Sequence, residues 1–158
     1  DMVAQNLRTT VETSVMKNFI DDKTTVIVWP ETAITQTVAE DDNVRAYLHE
    51  TLLNGDYPRF LMSGVLRREG DATTGEADYF NSLITYDRDM TPLTTYDKVH
   101  LVPFGEYIPF QDMIPLDPFV AFSGFESGPS LRTENIPGLP TFSGLICYEV
   151  IFPGATIP

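Results

Sequence analysis

Basic residues, histidine and cysteine are all scarce in this sequence of 158 residues. Ten lysines and arginines stand against 23 acidic residues, which gives a formal net charge of −13. This charge repels nucleic-acid phosphates and anionic lipid headgroups, so we expect no nucleic-acid partner and no charge-driven membrane binding. The single cysteine cannot form an internal disulfide, and cysteine usage therefore does not indicate a redox compartment.

Long apolar runs and the common ligand-binding signatures are missing as well. No run approaches the roughly 20 apolar residues that a membrane-spanning helix needs. The sequence has no HExxH motif and no cluster of histidine, cysteine and aspartate, so it predicts no metal site. Its glycines are too scattered to form a phosphate-binding loop. We therefore expect chemistry that uses neither a metal nor a cofactor.

The length suits one ordinary domain, and no second core is needed. The first residues already follow a helical pattern, there is no initiator methionine, and the sequence stops at Ile157–Pro158 where a new element should begin. We therefore interpret residues 1–158 as a partial domain that is truncated at both ends.

Two amphipathic helices are predicted. Apolar residues recur at every fourth position of the first, which should end near Asp21: Val3, Leu7, Val11, Val15 and Phe19. The second should begin near Asp41, place Val44, Leu48 and Leu52 on one face and end before Gly55.

Apolar and β-branched segments predict the strands. Thr24–Trp29 lacks polar alternation and should be buried on both faces, with Pro30 ending it. Further strands are expected at Phe60–Leu66, at Tyr79–Tyr86 and Leu93–Val99 around a hairpin turn, and at Thr141–Ile146. Because helices alternate with buried strands, the fold class is α/β.

The remaining segments are predicted to connect the strands. Arg67–Asp78 is polar and contains glycine, as expected of a connection. Residues 102–140 form a long segment rich in proline, glycine and phenylalanine, and a loop of this length is usually functional or disordered. Strand alternation should place Lys98 and His100 on one face of the sheet and Val99 and Leu101 on the other.

Three side chains at or near predicted strand ends could carry out covalent catalysis. Cys147 would be the nucleophile, Glu31 the general base, and Lys98 the cation that favours the thiolate and the oxyanion. Strand ends are where α/β folds gather their active sites. Taken singly, each residue has an ordinary alternative: a small buried side chain for Cys147 and solvated surface charges for Glu31 and Lys98.

The histidines offer one rival. His100 is the alternative base, because a cysteine–histidine pair is the commoner way to activate a thiol. His49 lies on the second predicted helix near Glu50 and is interpreted as an exposed helix residue.

Three ordered segments resemble the signature segments of the nitrilase, or carbon–nitrogen hydrolase, superfamily: Val26–Glu31, Tyr96–Pro109 and Gly144–Pro153. The resemblance implies part of an αββα sandwich, its first half to two-thirds. It also implies a Glu31–Lys98–Cys147 triad with Glu106 as an auxiliary carboxylate. Ile151 before Phe152–Pro153, and the HLVPFGEY sequence, are more similar to the N-acyltransferase branch, in which Tyr148 and Glu149 match functional positions.

That branch implies a lipid reaction at a bacterial inner membrane, with the catalytic domain on the periplasmic face. A phospholipid would donate an acyl chain to Cys147 as a thioester, and the N-terminal amine of a diacylated apolipoprotein would accept it. Aromatic and aliphatic residues between Phe104 and Phe125 would form either a mobile apolar lid or membrane-facing surface, or packing over the sheet. The alternatives are a soluble nitrilase-like amidase and an inactive structural or interaction fragment that covers its sheet by self-association.

Overall fold

A mixed five-stranded sheet positions the candidate residues. The computed structural model describes residues 2–15, 23–71, 76–107 and 124–152. The strands are β1 (Thr25–Val28), β2 (Ile34–Thr35), β3 (Arg59–Asp71), β4 (Glu76–Tyr86) and β5 (Pro92–Asp97). Their order is β1–β3–β4–β5, with β2 also paired to β3. β1 and β2 run parallel to β3, whereas β3, β4 and β5 are antiparallel neighbours. β1 and β5 therefore point in the same direction.

Helices cover one face of this sheet, and the predicted α/β class is confirmed. They are α1 (Met2–Val15), α2 (Gln36–Glu40), α3 (Asp42–Leu48) and a π-helical segment (His49–Leu53). The second predicted helix does begin after Asp41, whose carboxylate caps α3 by accepting the N–H groups of Asn43 and Val44. Apolar side chains of the helices pack with those of the strands into one core, which includes Val11, Ile27, Ile34, Leu48, Leu52, Leu53, Leu61, Val65 and Ile84.

The first helix contributes Val11 to the core, as its periodicity predicts. The indole N–H of Trp29, just after β1, donates to the hydroxyl of Ser14 at 3.1 Å and fixes the helix against the sheet. Phe19 and the predicted end near Asp21 lie outside the described residues.

Both hairpins of the sheet are antiparallel. The turn predicted between β4 and β5 is confirmed, since Tyr86 pairs with Pro92 across it. The prediction that Arg67–Asp78 only connects strands is wrong. β3 continues to Asp71 and β4 begins at Glu76, so most of this polar segment pairs within the β3–β4 hairpin. This end of the hairpin extends beyond the residues that pair with β2 and β5, so its polar side chains can project into water.

The prediction that the first strand is buried on both faces is also wrong. Within β1, Ile27 packs into the core, but Val26 is 38% exposed and Val28 is 65% exposed on the opposite face. The reason is that α1, α2, α3 and the π-helical segment all pack on one side of the sheet. On the other side, a segment from Phe142 to Cys147 is what borders the strand.

The strand predicted at Thr141–Ile146 is shorter than expected and lies outside the main sheet. Only Phe142–Ser143 (β7) is a strand, and it pairs with Thr133–Glu134 (β6). Gly144 then packs on the main sheet, where a β-carbon would stand 3.1 Å from Leu83 and Tyr96 side-chain atoms. The alternation predicted for Lys98 and His100 does not apply either, because β5 ends at Asp97.

Candidate active site

Glu31 reaches the middle of the sheet because the chain crosses over Gly64. After β1 the backbone of Pro30–Thr32 passes across β3, where a β-carbon on Gly64 would stand 2.4 Å from the Pro30 carbonyl oxygen. Only glycine permits so close an approach. Thr32 adopts a φ of 49°, a left-handed conformation that is uncommon for a β-branched residue. This crossing directs Glu31 away from its own strand and towards β4.

Lys98 follows the last residue of β5 and is almost completely buried. Its backbone N–H donates to the Asn81 carbonyl oxygen at 2.9 Å, which extends the β4–β5 pairing by one residue. The side chain is only 1% exposed. The alternative interpretation of Lys98 as a solvated surface charge is therefore wrong.

Two carboxylates surround the Lys98 ammonium. Its Nζ lies 2.8 Å from Oε1 of Glu106 and 3.7 Å from Oε1 of Glu31. The side-chain amide of Asn81 donates to the same two oxygens, at 2.6 Å for Glu31 and 3.1 Å for Glu106. Three residues predicted from the sequence, Glu31, Lys98 and Glu106, thus meet in one cluster whose fourth member is Asn81.

Glu106 is the more firmly held of the two carboxylates. Its second oxygen accepts the backbone N–H of Val102 at 2.8 Å. Burial alone would raise the pKa of Glu106, but the hydrogen bonds from Lys98, Val102 and Asn81 outweigh burial and lower that pKa. Glu106 is therefore the carboxylate whose ionised form is held beside Lys98, whereas Glu31, with a side chain 36% exposed, is the carboxylate open to a reactant.

Cys147 opens a 3₁₀ turn (Cys147–Ile151) and is exposed. The alternative of a small buried side chain is wrong for this residue. Its φ of 51° is left-handed, and strained backbone of this kind clusters at active sites and ligand clamps. Cys147 and Glu31 line one pocket of about 360 Å³, between the 142–147 segment and the sheet. Lys98 does not line this pocket and borders it through Glu31.

Glu149 ties the cysteine turn to the lysine segment. Its fully buried carboxylate accepts the Tyr96 hydroxyl at 2.8 Å and the backbone N–H groups of Val99 and His100 at 2.9 and 3.1 Å. The other oxygen accepts the N–H of Ile146 at 2.8 Å. Burial, reinforced by the hydrogen bond to Glu149, raises the pKa of Tyr96 far above its usual value. Glu149 therefore fixes the backbone immediately after Lys98 and immediately before Cys147.

His100, the alternative base, and Tyr148 are not part of the charged cluster around Lys98. The imidazole of His100 stacks on Phe152 with ring centroids 5.0 Å apart, and its Nδ1 is 3.9 Å from Glu149 Oε1. His100 is not among the described residues that line the pocket. Tyr148, next to Cys147, is exposed. The catalytic roles assigned to all of these residues remain predictions.

The sequence prediction missed Asn81. It lies in β4 among apolar residues, in the segment Tyr79–Tyr86, and the polar pair Asn81–Ser82 in an otherwise buried strand was the available signal. Most of the aromatic loop, residues 108–123, lies outside the described residues. None of the helices within the described residues has the length and hydropathy of a membrane span. Within the described ranges, no group of histidine, cysteine and acidic side chains could hold a metal ion.

The chain is similar in sequence to bacterial proteins named apolipoprotein N-acyltransferase. The relative from Agrobacterium fabrum is 36% identical over 137 residues, which cover 84% of this chain and 25% of the relative. The relative from Brucella suis is 39% identical over 132 residues, covering 81% of this chain and 24% of the relative. The chain thus spans about a quarter of the length of the curated relatives that it matches. No family model matches the chain.

Solved structures share the fold at low sequence identity. A glutamine-dependent NAD⁺ synthetase from Acinetobacter baumannii superposes with a TM-score of 0.54 and 18% identity, covering 94% of this chain and 26% of that one. An amidase from Nesterenkonia sp. gives a TM-score of 0.53 and 16% identity, covering 96% and 52%. The fold is therefore a partial nitrilase-like fold, as the sequence resemblance implies.

Proposed function

The chain belongs to the apolipoprotein N-acyltransferase family, and we propose that it carries the catalytic residues for acyl transfer through a thioester on Cys147. Residues 1–158 would form part of a nitrilase-like catalytic domain. The observation that carries this proposal is that Glu31 lines one pocket with Cys147 while standing 3.7 Å from Lys98. A base, a cation and a thiol are the groups that covalent acyl transfer needs.

In the first step, Glu31 removes the thiol proton of Cys147 and the sulfur attacks the ester carbonyl of a phospholipid. The Lys98 ammonium, which borders the pocket through Glu31, stabilises the developing oxyanion through its positive charge. The carbon–oxygen bond then breaks. Glu31 returns the proton to the leaving alcohol, which leaves the acyl chain on sulfur.

In the second step, the N-terminal amine of a diacylated apolipoprotein attacks the thioester. Glu31 accepts a proton from the attacking nitrogen, the carbon–sulfur bond breaks, and the proton returns to the Cys147 thiolate. The product is an amide, and the enzyme is restored without any external oxidant or cofactor.

The lipid substrates agree with the surface beside the pocket. Val150, Ile151 and Phe152 follow Cys147 as exposed apolar side chains. Such a surface suits acyl chains or a membrane better than a small polar amide. We propose a location at a bacterial inner membrane, with the catalytic domain on the periplasmic face, where both lipid substrates would be available.

The test uses the intact protein that contains this sequence, purified in detergent micelles. It is incubated with a phospholipid carrying a fluorescent acyl chain, first alone and then with a lipopeptide bearing a diacylated N-terminal cysteine. We expect an acyl group on Cys147 by peptide mass spectrometry, and its transfer to the lipopeptide amine on addition of the acceptor. Hydrolysis of a short amide without any acyl transfer would instead establish the amidase alternative.

A further inference from the structure

Asn81 is buried at the centre of the charged cluster, yet it carries no charge itself. The residue is 2% exposed, and its Nδ2 group contacts a carboxylate oxygen of Glu31 at 2.6 Å and one of Glu106 at 3.1 Å. A side-chain amide nitrogen has two N–H donors, one for each carboxylate. The opposite orientation of the amide would set its carbonyl oxygen against two anions, so the chemistry of the neighbours fixes which atom faces them.

The carbonyl oxygen of the Asn81 side chain accepts no hydrogen bond from the described residues. Its Oδ1 is buried and has no hydrogen-bond partner. A buried acceptor without a partner is unfavourable, and native proteins contain few of them. Packing therefore does not account for an asparagine here, whereas the two donated hydrogen bonds do.

From these contacts we propose that Asn81 is a positioning residue that holds Glu31 as the base for Cys147. This inference rests on the proposed function of the Glu31–Lys98–Cys147 site. Asn81 occupies Oε1 of Glu31 and leaves the other oxygen without a partner in the described part of the chain, so that oxygen is the one able to accept the thiol proton. The same amide bridges Glu31 to Glu106 and keeps both carboxylates beside the one ammonium group of Lys98.

Two variants of the intact protein separate positioning from packing. Asn81→Asp keeps the shape but replaces both donors with oxygen facing two carboxylates. Asn81→Leu keeps the branched shape with a larger side chain, removes the donors and also removes the unpartnered oxygen. Misplacing a catalytic group by about 1 Å can lower a rate by about 100-fold. We therefore expect both variants to acylate Cys147 about 10- to 100-fold more slowly than the wild type.

Thr85→Val provides the matched control. Thr85 lies on the same strand, is 1% exposed and also has a buried side-chain oxygen without a partner, but it contacts neither carboxylate. We expect its acylation rate to stay within twofold of the wild type, and its melting temperature to be unchanged or higher.

The measurement uses a long-chain p-nitrophenyl ester as the acyl donor. The burst of p-nitrophenol gives the acylation rate at each ester concentration, and peptide mass spectrometry locates the acyl group. The Asn81 variants should lose maximal rate while the half-saturating ester concentration changes by less than twofold, because a positioning residue acts on the chemical step. Melting curves establish that each variant is folded, and either folded variant is sufficient for the test.

The outcomes distinguish the two levels of the proposal. If the wild type forms no acyl group on Cys147, the proposed function is wrong. If the wild type reacts and Asn81→Leu reacts within twofold of it, Asn81 only packs and the inference is overturned while the proposed function stands. An increase in the half-saturating concentration with an unchanged maximal rate would also overturn it, since this would place Asn81 in substrate binding.

Discussion

The α-carbon of Glu31 lies directly over Gly64, where a β-carbon would stand only 2.5 Å away. This contact directs the candidate base across β3 to the cluster on β4. Since the obstructing atoms belong to the backbone of Pro30–Thr32, a side chain at this position cannot be accommodated by a rotamer change.

The substitution Gly64→Ala should therefore damage both stability and catalysis. Overpacking typically costs about 1–3 kcal/mol, and the displaced Glu31 should slow Cys147 acylation by more than tenfold. Thermal melting and the p-nitrophenyl ester burst measure the two effects. Gly105→Ala is the control, because a β-carbon there would meet no atom closer than 3.5 Å. If Gly64→Ala acylates Cys147 at the wild-type rate, the passage of Pro30–Thr32 over Gly64 does not position Glu31.

Removal of the nucleophile or the base should abolish acyl transfer. In the intact protein, Cys147→Ala eliminates the thioester, and Glu31→Gln should lower the rate by about 1,000-fold or more. His100→Ala should keep most of the activity, since its imidazole lies against Phe152 and Glu149. The measurement is acyl transfer to the lipopeptide. A loss in His100→Ala as large as that in Glu31→Gln would favour a cysteine–histidine mechanism.

Loss of the Glu149 carboxylate should loosen the cysteine turn. In the wild type, each carboxylate oxygen of Glu149 accepts at least one backbone N–H group. In Glu149→Gln one of these oxygens becomes an NH₂ group, so whichever way the amide is oriented, a backbone N–H group loses its acceptor. Each buried donor left without an acceptor costs about 1–3 kcal/mol. We expect a lower melting temperature and faster alkylation of Cys147 by iodoacetamide. Glu126→Gln, at an exposed position, should behave as the wild type in both assays.

The folded protein should lose a stabilising contribution in acid. Burial alone would raise the pKa of Glu106, but the hydrogen bonds from Lys98, Val102 and Asn81 lower it below its ordinary value of 4.5 in the folded state. Its carboxylate therefore stabilises the fold fully above about pH 4.5, and this contribution disappears as the pH falls through the lowered pKa. In urea unfolding, the difference in free energy of unfolding between the wild type and Glu106→Gln should become smaller below pH 4.5. A difference independent of pH would contradict this assignment.

The 158-residue chain by itself should be catalytically silent. It matches about a quarter of the length of its relatives, and Glu31 and Cys147 are open to solvent. Water around the pocket raises the effective dielectric and weakens the effect of Lys98 on a thiolate or an oxyanion. Incubation with the fluorescent phospholipid should leave Cys147 unmodified, and light scattering should show self-association through the exposed sheet face. Rapid, Glu31-dependent acylation would contradict the expectation.

Local sequence patterns predicted much of the fold and two members of the charged cluster, Glu31 and Lys98, whereas Glu106 was implied only by the family resemblance. The β4–β5 hairpin was predictable because apolar strands flank a short polar turn, and the ends of β1 and β5 placed Glu31 and Lys98. The short β7 was not predictable, since the apolar residues after Thr141 contact the sheet without joining it. Asn81 was missed because its role depends on side chains far along the chain, and no local period records such contacts.

The separation of these contacts in sequence sets the order in which the protein should fold. β3 and β4 pair through residues as near as Asp71 and Glu76, whereas Asn81 and Glu31 are 50 residues apart and Tyr96 and Glu149 are 53 apart. Closing longer loops costs more chain entropy, so the hairpin should form early and the cluster late. A newly made chain would therefore hold most of its sheet before its thiol and its base come together. In pulsed hydrogen exchange, the amides of the β3–β4 hairpin should gain protection before those of Val99 and Ile146.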